Sequence, residues 1–132
     1  IKRKSDFYLH FGINECFIGI GYYHPASNIL QLIREAIDYD GEGLRLILEN
    51  EEFQNSFGSL ETDAMLKTSP KGFSKEHPHI GLLRYKSFAA MHPLTEKSVC
   101  RPNFMKEVIR LYKISMPLRH YLNNAVFFDE KA

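Results

Sequence analysis

The sequence has no tryptophan, only two cysteines and no surplus of charge of either sign. Each scarcity excludes something. Cys16 and Cys100 lie far apart and match no metal or redox spacing. Neither a disulfide scaffold nor a zinc site is expected from them, and a reducing compartment suits them. Lys and Arg number 17 against 16 Asp and Glu, for a net charge of +1. No global field therefore draws the chain to nucleic acid, a membrane surface or an acidic polymer. The one basic run, Lys2-Arg3-Lys4, reads as a solvated terminus rather than a phosphate-binding arm. Long apolar runs are missing too. The longest, Cys16 to Tyr23, already holds two glycines and is too short to span a bilayer. No charged-then-apolar leader is seen, and a cytoplasmic protein is expected.

What is present fits one globular domain spanning residues 1–132, with 44% apolar and 25% charged residues. Asp6 to Gly12 alternates, with Phe7, Leu9 and Phe11 on one face and Tyr8 and His10 on the other, the period of a half-buried strand. Gly12 to Glu15 supplies turn residues, and Cys16 to His24 is a second aromatic and β-branched run. Together they predict a β-hairpin. From Pro25 the period becomes helical through Ile29, Leu30, Ile33 and Ile37, with Asp40-Gly41 as a stop. Leu44, Ile47 and Leu48 form a shorter helical stripe, and Phe53 and Phe57 a third closed by Gly58. These are core faces and contain no cofactor box. Ala64 to Lys67 is a candidate short strand, His77-Pro78 opens a helix to about Arg84, and Tyr85 to His92 is a third strand stopped at Pro93. Pro102 opens a last helix that Pro117 should break or kink. Strands and helices in unequal blocks favour an α+β fold: a small antiparallel sheet built on the N-terminal hairpin, helices mainly on one face, and a long kinked C-terminal helix.

The hairpin carries the strongest local demand. In its second strand Ile18, Ile20 and Tyr22 point one way and Phe17, Gly19, Gly21 and Tyr23 the other. Two glycines two residues apart leave a bare patch, and strand interiors avoid glycine unless something approaches closely. A packed helix, a bulge or a ligand could be that neighbour, and the helix is the expected one. Tyr8 and His10 share the bare face, and His24 ends the strand nearby. A phenol, one or two imidazoles and a shallow floor would make a small polar pocket. For any chemistry there, His10 is the expected general acid or base. Tyr8 would orient the substrate, and Lys71 or Lys86 would meet an anionic group.

Other constellations are weaker. Glu76-His77-Pro78-His79 is dense in ligand types but lacks a zinc spacing, so His77 is expected to cap the helix and His79 to lie on its surface. Pro70-Lys71-Gly72 reads as a solvated turn rather than a phosphate loop. Lys86, inside a strand pattern, marks a sheet edge or a pocket wall. Nucleophile elbows and dinucleotide fingerprints are absent.

Several short motifs in order resemble one known family. They are Phe7-Tyr8-Leu9-His10, Glu15-Cys16-Phe17, Gly19-Ile20-Gly21, His24-Pro25, Pro70-Lys71-Gly72-Phe73, His77-Pro78, Leu82-Leu83, Lys86-Ser87-Phe88, Pro93-Leu94 and Met116-Pro117-Leu118. The chain resembles, over nearly its whole length, the uncharacterised bacterial family called domain of unknown function 2461. It departs at Cys16, where small hydroxyl residues are usual, and at His24, where an aromatic residue is. The resemblance implies no activity. It also implies a longer N-terminus, and with Ile1 in place of Met the expectation is the C-terminal portion of a longer protein. Two readings of function follow. One is a small-molecule pocket, for an anionic ligand, at the bare face formed by Gly19, Gly21, His24, Lys71 and Lys86. The other is an interaction module that docks its N-terminal region or a second copy as a homodimer.

Overall fold

A computed structural model describes residues 3–128, so Lys2 of the basic run lies outside the described residues. Strands β1 (Asp6–Phe11) and β2 (Cys16–Tyr22) form the hairpin, and β3 (Phe88–Leu94) completes a three-stranded sheet of order β1-β2-β3. Both pairings are antiparallel. Tyr8 stands opposite Gly19, and Gly19 opposite Met91. The hairpin closes with the Gly12 N–H donating to the Glu15 carbonyl at 2.7 Å.

Helix α1 (Ser27–Glu49) runs as one element with a non-helical residue, Asp40, at a kink. The expected stop at Asp40-Gly41 is thus a bend. Gly41 makes room for the His79 ring, since a Cβ there would lie 2.4 Å from its Cγ and Cδ2. Helix α2 (Glu51–Phe57) is capped by the Asn50 side chain, which accepts from the Phe53 N–H, and ends at Gly58. The expected strand at Ala64 to Lys67 is irregular, because Ala64 takes φ +57, outside the extended region. Helix α3 (Ile80–Leu83) begins after His79 rather than at His77. β3 starts only at Phe88, leaving Lys86 exposed outside the sheet.

β3 continues through Pro93, against expectation. Ala89 sends its carbonyl to the Glu61 N–H on the side away from β2. By alternation Pro93 also turns its nitrogen away from β2, so no ladder bond is lost. A short helix, α4 (Glu96–Val99), carries a Thr95–Ser98 capping box. Helix α5 (Phe104–Val126) passes unbroken through Pro117. That residue is exposed, so water can serve the carbonyl its missing N–H leaves unpaired.

The helices lie on the face bearing Ile18, Ile20, Tyr22, Phe88 and Ala90. With Ile33, Ile37, Leu44, Leu111, Leu118 and Leu122 these make the core. α5 packs on β1 and β2 and is flanked by α1, which it meets where the Tyr121 hydroxyl reaches the Asp40 and Ala36 carbonyls at 2.8 and 3.1 Å. Among the described residues no helix is long and apolar enough to cross a membrane.

Candidate functional site

The opposite sheet face, with Asp6, Tyr8, Gly19, Gly21, Ala89 and Met91 in register, carries no helix among the described residues. The expected helical cover over the glycines is replaced by two other neighbours. A Cβ on Gly19 would sit 2.4 Å from Cζ of Tyr8: the phenol ring lies across the glycine. Gly21 has φ +94, and its Cβ would lie 2.1 Å from the Phe88 carbonyl oxygen. That position is glycine because of backbone geometry rather than ligand space.

Beside this ring a groove of about 480 Å³ opens over Gly21, Ala89 and Met91. Its walls are unequal in charge. Asp6, Glu15 and Glu61 bring carboxylates, Tyr8, Phe17 and Tyr23 bring rings, and among the described residues Arg3 is the only cation. Arg3 is already held by Asp6 at 2.5 Å. The backbone places Glu61 there, since its N–H donates to Ala89 on the free side of β3 at 2.8 Å. The Tyr8 phenol is raised above its ordinary pKa, first by burial and then by the charges of Asp6 and Glu61. It is therefore neutral across the physiological range.

At one end of the groove Tyr23 leads to a second cluster. Asp63 accepts from the Tyr23 hydroxyl at 2.9 Å and meets His24 Nε2 at 3.0 Å. Its carboxyl is held below the usual range by the His24 hydrogen bond first and the Tyr23 one second. An ionised carboxylate at Nε2 requires that ring nitrogen to carry a proton and donate it. His24 has φ +45, a backbone conformation that costs a non-glycine residue about 1 kcal/mol or more. Its N–H is anchored on the Ser87 hydroxyl at 2.8 Å.

The expected residues divide accordingly. Tyr8 and Gly21 line the groove, and Gly19 lies beneath the Tyr8 ring. His24 joins through Tyr23 and Asp63. His10 is exposed and stacked on Phe17 at 4.7 Å, and no carboxylate bonds it among the described residues. Neither Lys71 nor Lys86 lines the groove. His77 uses both ring nitrogens, Nε2 on Asp38 at 2.7 Å and Nδ1 accepting from the His79 N–H at 3.0 Å. No group of three or more metal-ligating side chains converges among the described residues. Sequence reasoning missed Asp6, Glu61 and Asp63. Asp6 was legible as the residue two before Tyr8 on one strand face, whereas the other two reach the site only through a long-range fold.

The model of a family described as conserved hypothetical protein, DUF2461, matches residues 2–121. No curated protein matches the chain, and no solved structure does.

Proposed function

The chain belongs to the DUF2461 family of conserved hypothetical proteins, a premise that brings no activity with it, and we propose that it binds a small molecule in the groove on the outer sheet face. The ligand carries a positive charge on a flat or slender body, as in an amine or a guanidinium compound. This departs from the anionic ligand that Lys71 and Lys86 suggested, because those lysines stand off the groove. One observation carries the reading: three carboxylates and three aromatic rings face the same space against one arginine that is already paired. Carboxylates attract the charge, and ring faces attract a partly desolvated cation by about 0.5–2 kcal/mol each.

The test is a titration followed by amide NMR shifts, with arginine amide and spermidine set against glutamate and citrate. The cations should move the Gly21, Ala89 and Met91 amides, and Glu61→Gln should weaken them roughly 3- to 10-fold, or about 1 kcal/mol. Binding of the anions instead would overturn the reading.

The unpaired Cys16 and Cys100 fit a reducing compartment, and we place the protein in the cytoplasm of a bacterial cell. Fractionation that found it in an oxidising compartment would refute this.

A further inference from the structure

We infer that β1 is a dimerisation edge. Two copies pair their β1 strands antiparallel about a two-fold axis at Tyr8, and each then sets its His10 opposite Asp6 at the rim of the other's groove. The inference stands whether or not the groove takes a ligand.

β1 lies at the end of the sheet, and the direction of its free groups follows from the ladders. Ala89 turns its carbonyl from β2 toward Glu61, so the Gly21–Ala89 pair is not hydrogen-bonded, and Gly21 turns its groups to Asp6. Gly12 bonding to Glu15 fixes the same alternation from the hairpin end. Asp6, Tyr8 and His10 therefore bond to β2, while Phe7, Leu9 and Phe11 offer their N–H and C=O groups outward. None of those outward groups has a hydrogen bond among the described residues. An edge of this kind is normally blunted by lysine, proline or a bulge. β1 has none of these.

Apolar surface adjoins the open edge. Leu9 and Phe11 point to the helix-bearing face yet stay 37% and 58% exposed. On α5, Met105, Ile109, Tyr112, Met116, Arg119 and Asn123 fall on one side by helical spacing. The C-terminal half of that stripe meets β1. Tyr112 packs edge-on against Phe7 at 5.1 Å, Arg119 covers both rings, and Asn123 accepts from the Ser5 N–H at 2.8 Å. Its other half, Met105 at 62% and Ile109 at 51% exposure, continues the same helix side as an exposed apolar stretch. A second sheet added to β1 would bring a second α5 alongside.

The occupant is a second copy because the strand is complementary to itself. Faces match only when odd residues oppose odd ones and even oppose even, which allows an axis at Tyr8 or at Leu9 for a centred pairing. The partner of Asp6 decides between them. With the axis at Tyr8, the Asp6 carboxylate faces the partner's His10 imidazole twice, and Phe7 faces Leu9 twice. With the axis at Leu9, Asp6 faces Gly12 and gains no partner. A directly opposed carboxylate and imidazole, able to hydrogen-bond to each other, favour the first register.

Sedimentation of the full chain should give a dimer. Leu9→Lys should leave the circular dichroism and melting temperature near wild type while raising the dimer dissociation constant at least about a hundredfold, the loss of one buried leucine contact on each side of the dyad. In a Cys16→Ser, Cys100→Ser background, Tyr8→Cys should cross-link to itself under oxidised glutathione. Cα atoms of an opposed non-hydrogen-bonded pair lie about 4.5 Å apart, within disulfide reach. Leu9→Cys should cross-link far more slowly. A wild-type monomer at every soluble concentration, a dimer indifferent to Leu9→Lys, or preferential cross-linking through Leu9→Cys would each overturn the proposal.

Discussion

Gly19 and Gly21 lie two residues apart on one sheet face, yet a methyl group meets different obstacles at each. At Gly19 the obstacle is the outer end of the Tyr8 side chain, a half-exposed ring that can rotate away. Gly19→Ala should therefore change stability by no more than about 1 kcal/mol in urea unfolding, and chiefly displace Tyr8. At Gly21 the obstacle is backbone, and φ is +94. Gly21→Ala should cost about 2–5 kcal/mol from strain and overpacking together. Equal costs would show that the Tyr8 ring is locked. Tyr22 makes a pH prediction. Its hydroxyl donates to the Arg3 carbonyl at 2.6 Å, and burial, partly offset by Arg3, pushes its pKa up to about 12. The folded chain holds this proton more tightly than the unfolded one. The associated stability is complete below about pH 10 and is lost as pH rises through about 12. Tyr121, also pushed up to about 12 by burial and then Asp40, adds in the same window. The urea midpoint should fall across that window in wild type and fall less in Tyr22→Phe.

Helices show where pattern reading succeeds and where it stops. The stripes of α1, α2 and α5 were legible because burial repeats at helical spacing. The role of Arg34 was not, although it sits within the α1 stripe. Its guanidinium is buried and donates to the carbonyls of Leu83 and Tyr85 at 3.0 and 3.2 Å. It closes the C-terminal end of α3 against α1, and burial lowers its pKa. Arg34→Ala should destabilise by about 2–4 kcal/mol through one buried and one part-buried carbonyl left unpaired. Arg34→Lys should recover little, since one ammonium cannot serve both in the planar geometry. Full rescue by lysine in a melting experiment would show that only charge matters. Pro117 is the milder case: the sequence rule allows a break or a kink, and α5 continues through it because the residue faces water. Pro117→Ala should then stabilise by about 1–3 kcal/mol by restoring an intrahelical bond. No gain in melting temperature would mean that the ring packs usefully.

Across the whole molecule, the part least legible in advance is the irregular segment from Gly58 to His79, because its partners lie far along the chain. Asp63 reaches Tyr23 and His24, Glu61 extends β3, the Arg84 side chain donates to the Leu66 carbonyl at 2.8 Å, and His77 meets Asp38. Periodicity carries no information about such pairs, so the sequence pointed to Tyr8 and to the hairpin glycines but not to the acidic wall beside them. That wall depends on His24, which is held in a strained backbone conformation by Ser87 at its N–H and Asp63 at its ring. Strain that persists where glycine would relieve it marks a residue kept for its side chain. His24→Gly removes the strain and an exposed imidazole–carboxylate contact worth little in water, so unfolding free energy should stay level or rise by up to about 1 kcal/mol. Cation affinity in the groove should fall several-fold, because Asp63 keeps only its Tyr23 bond to pin the segment that presents Glu61. Greater stability with weaker binding would identify His24 as a residue that trades stability for the site. A loss of stability with binding unchanged would show its ring to be structural.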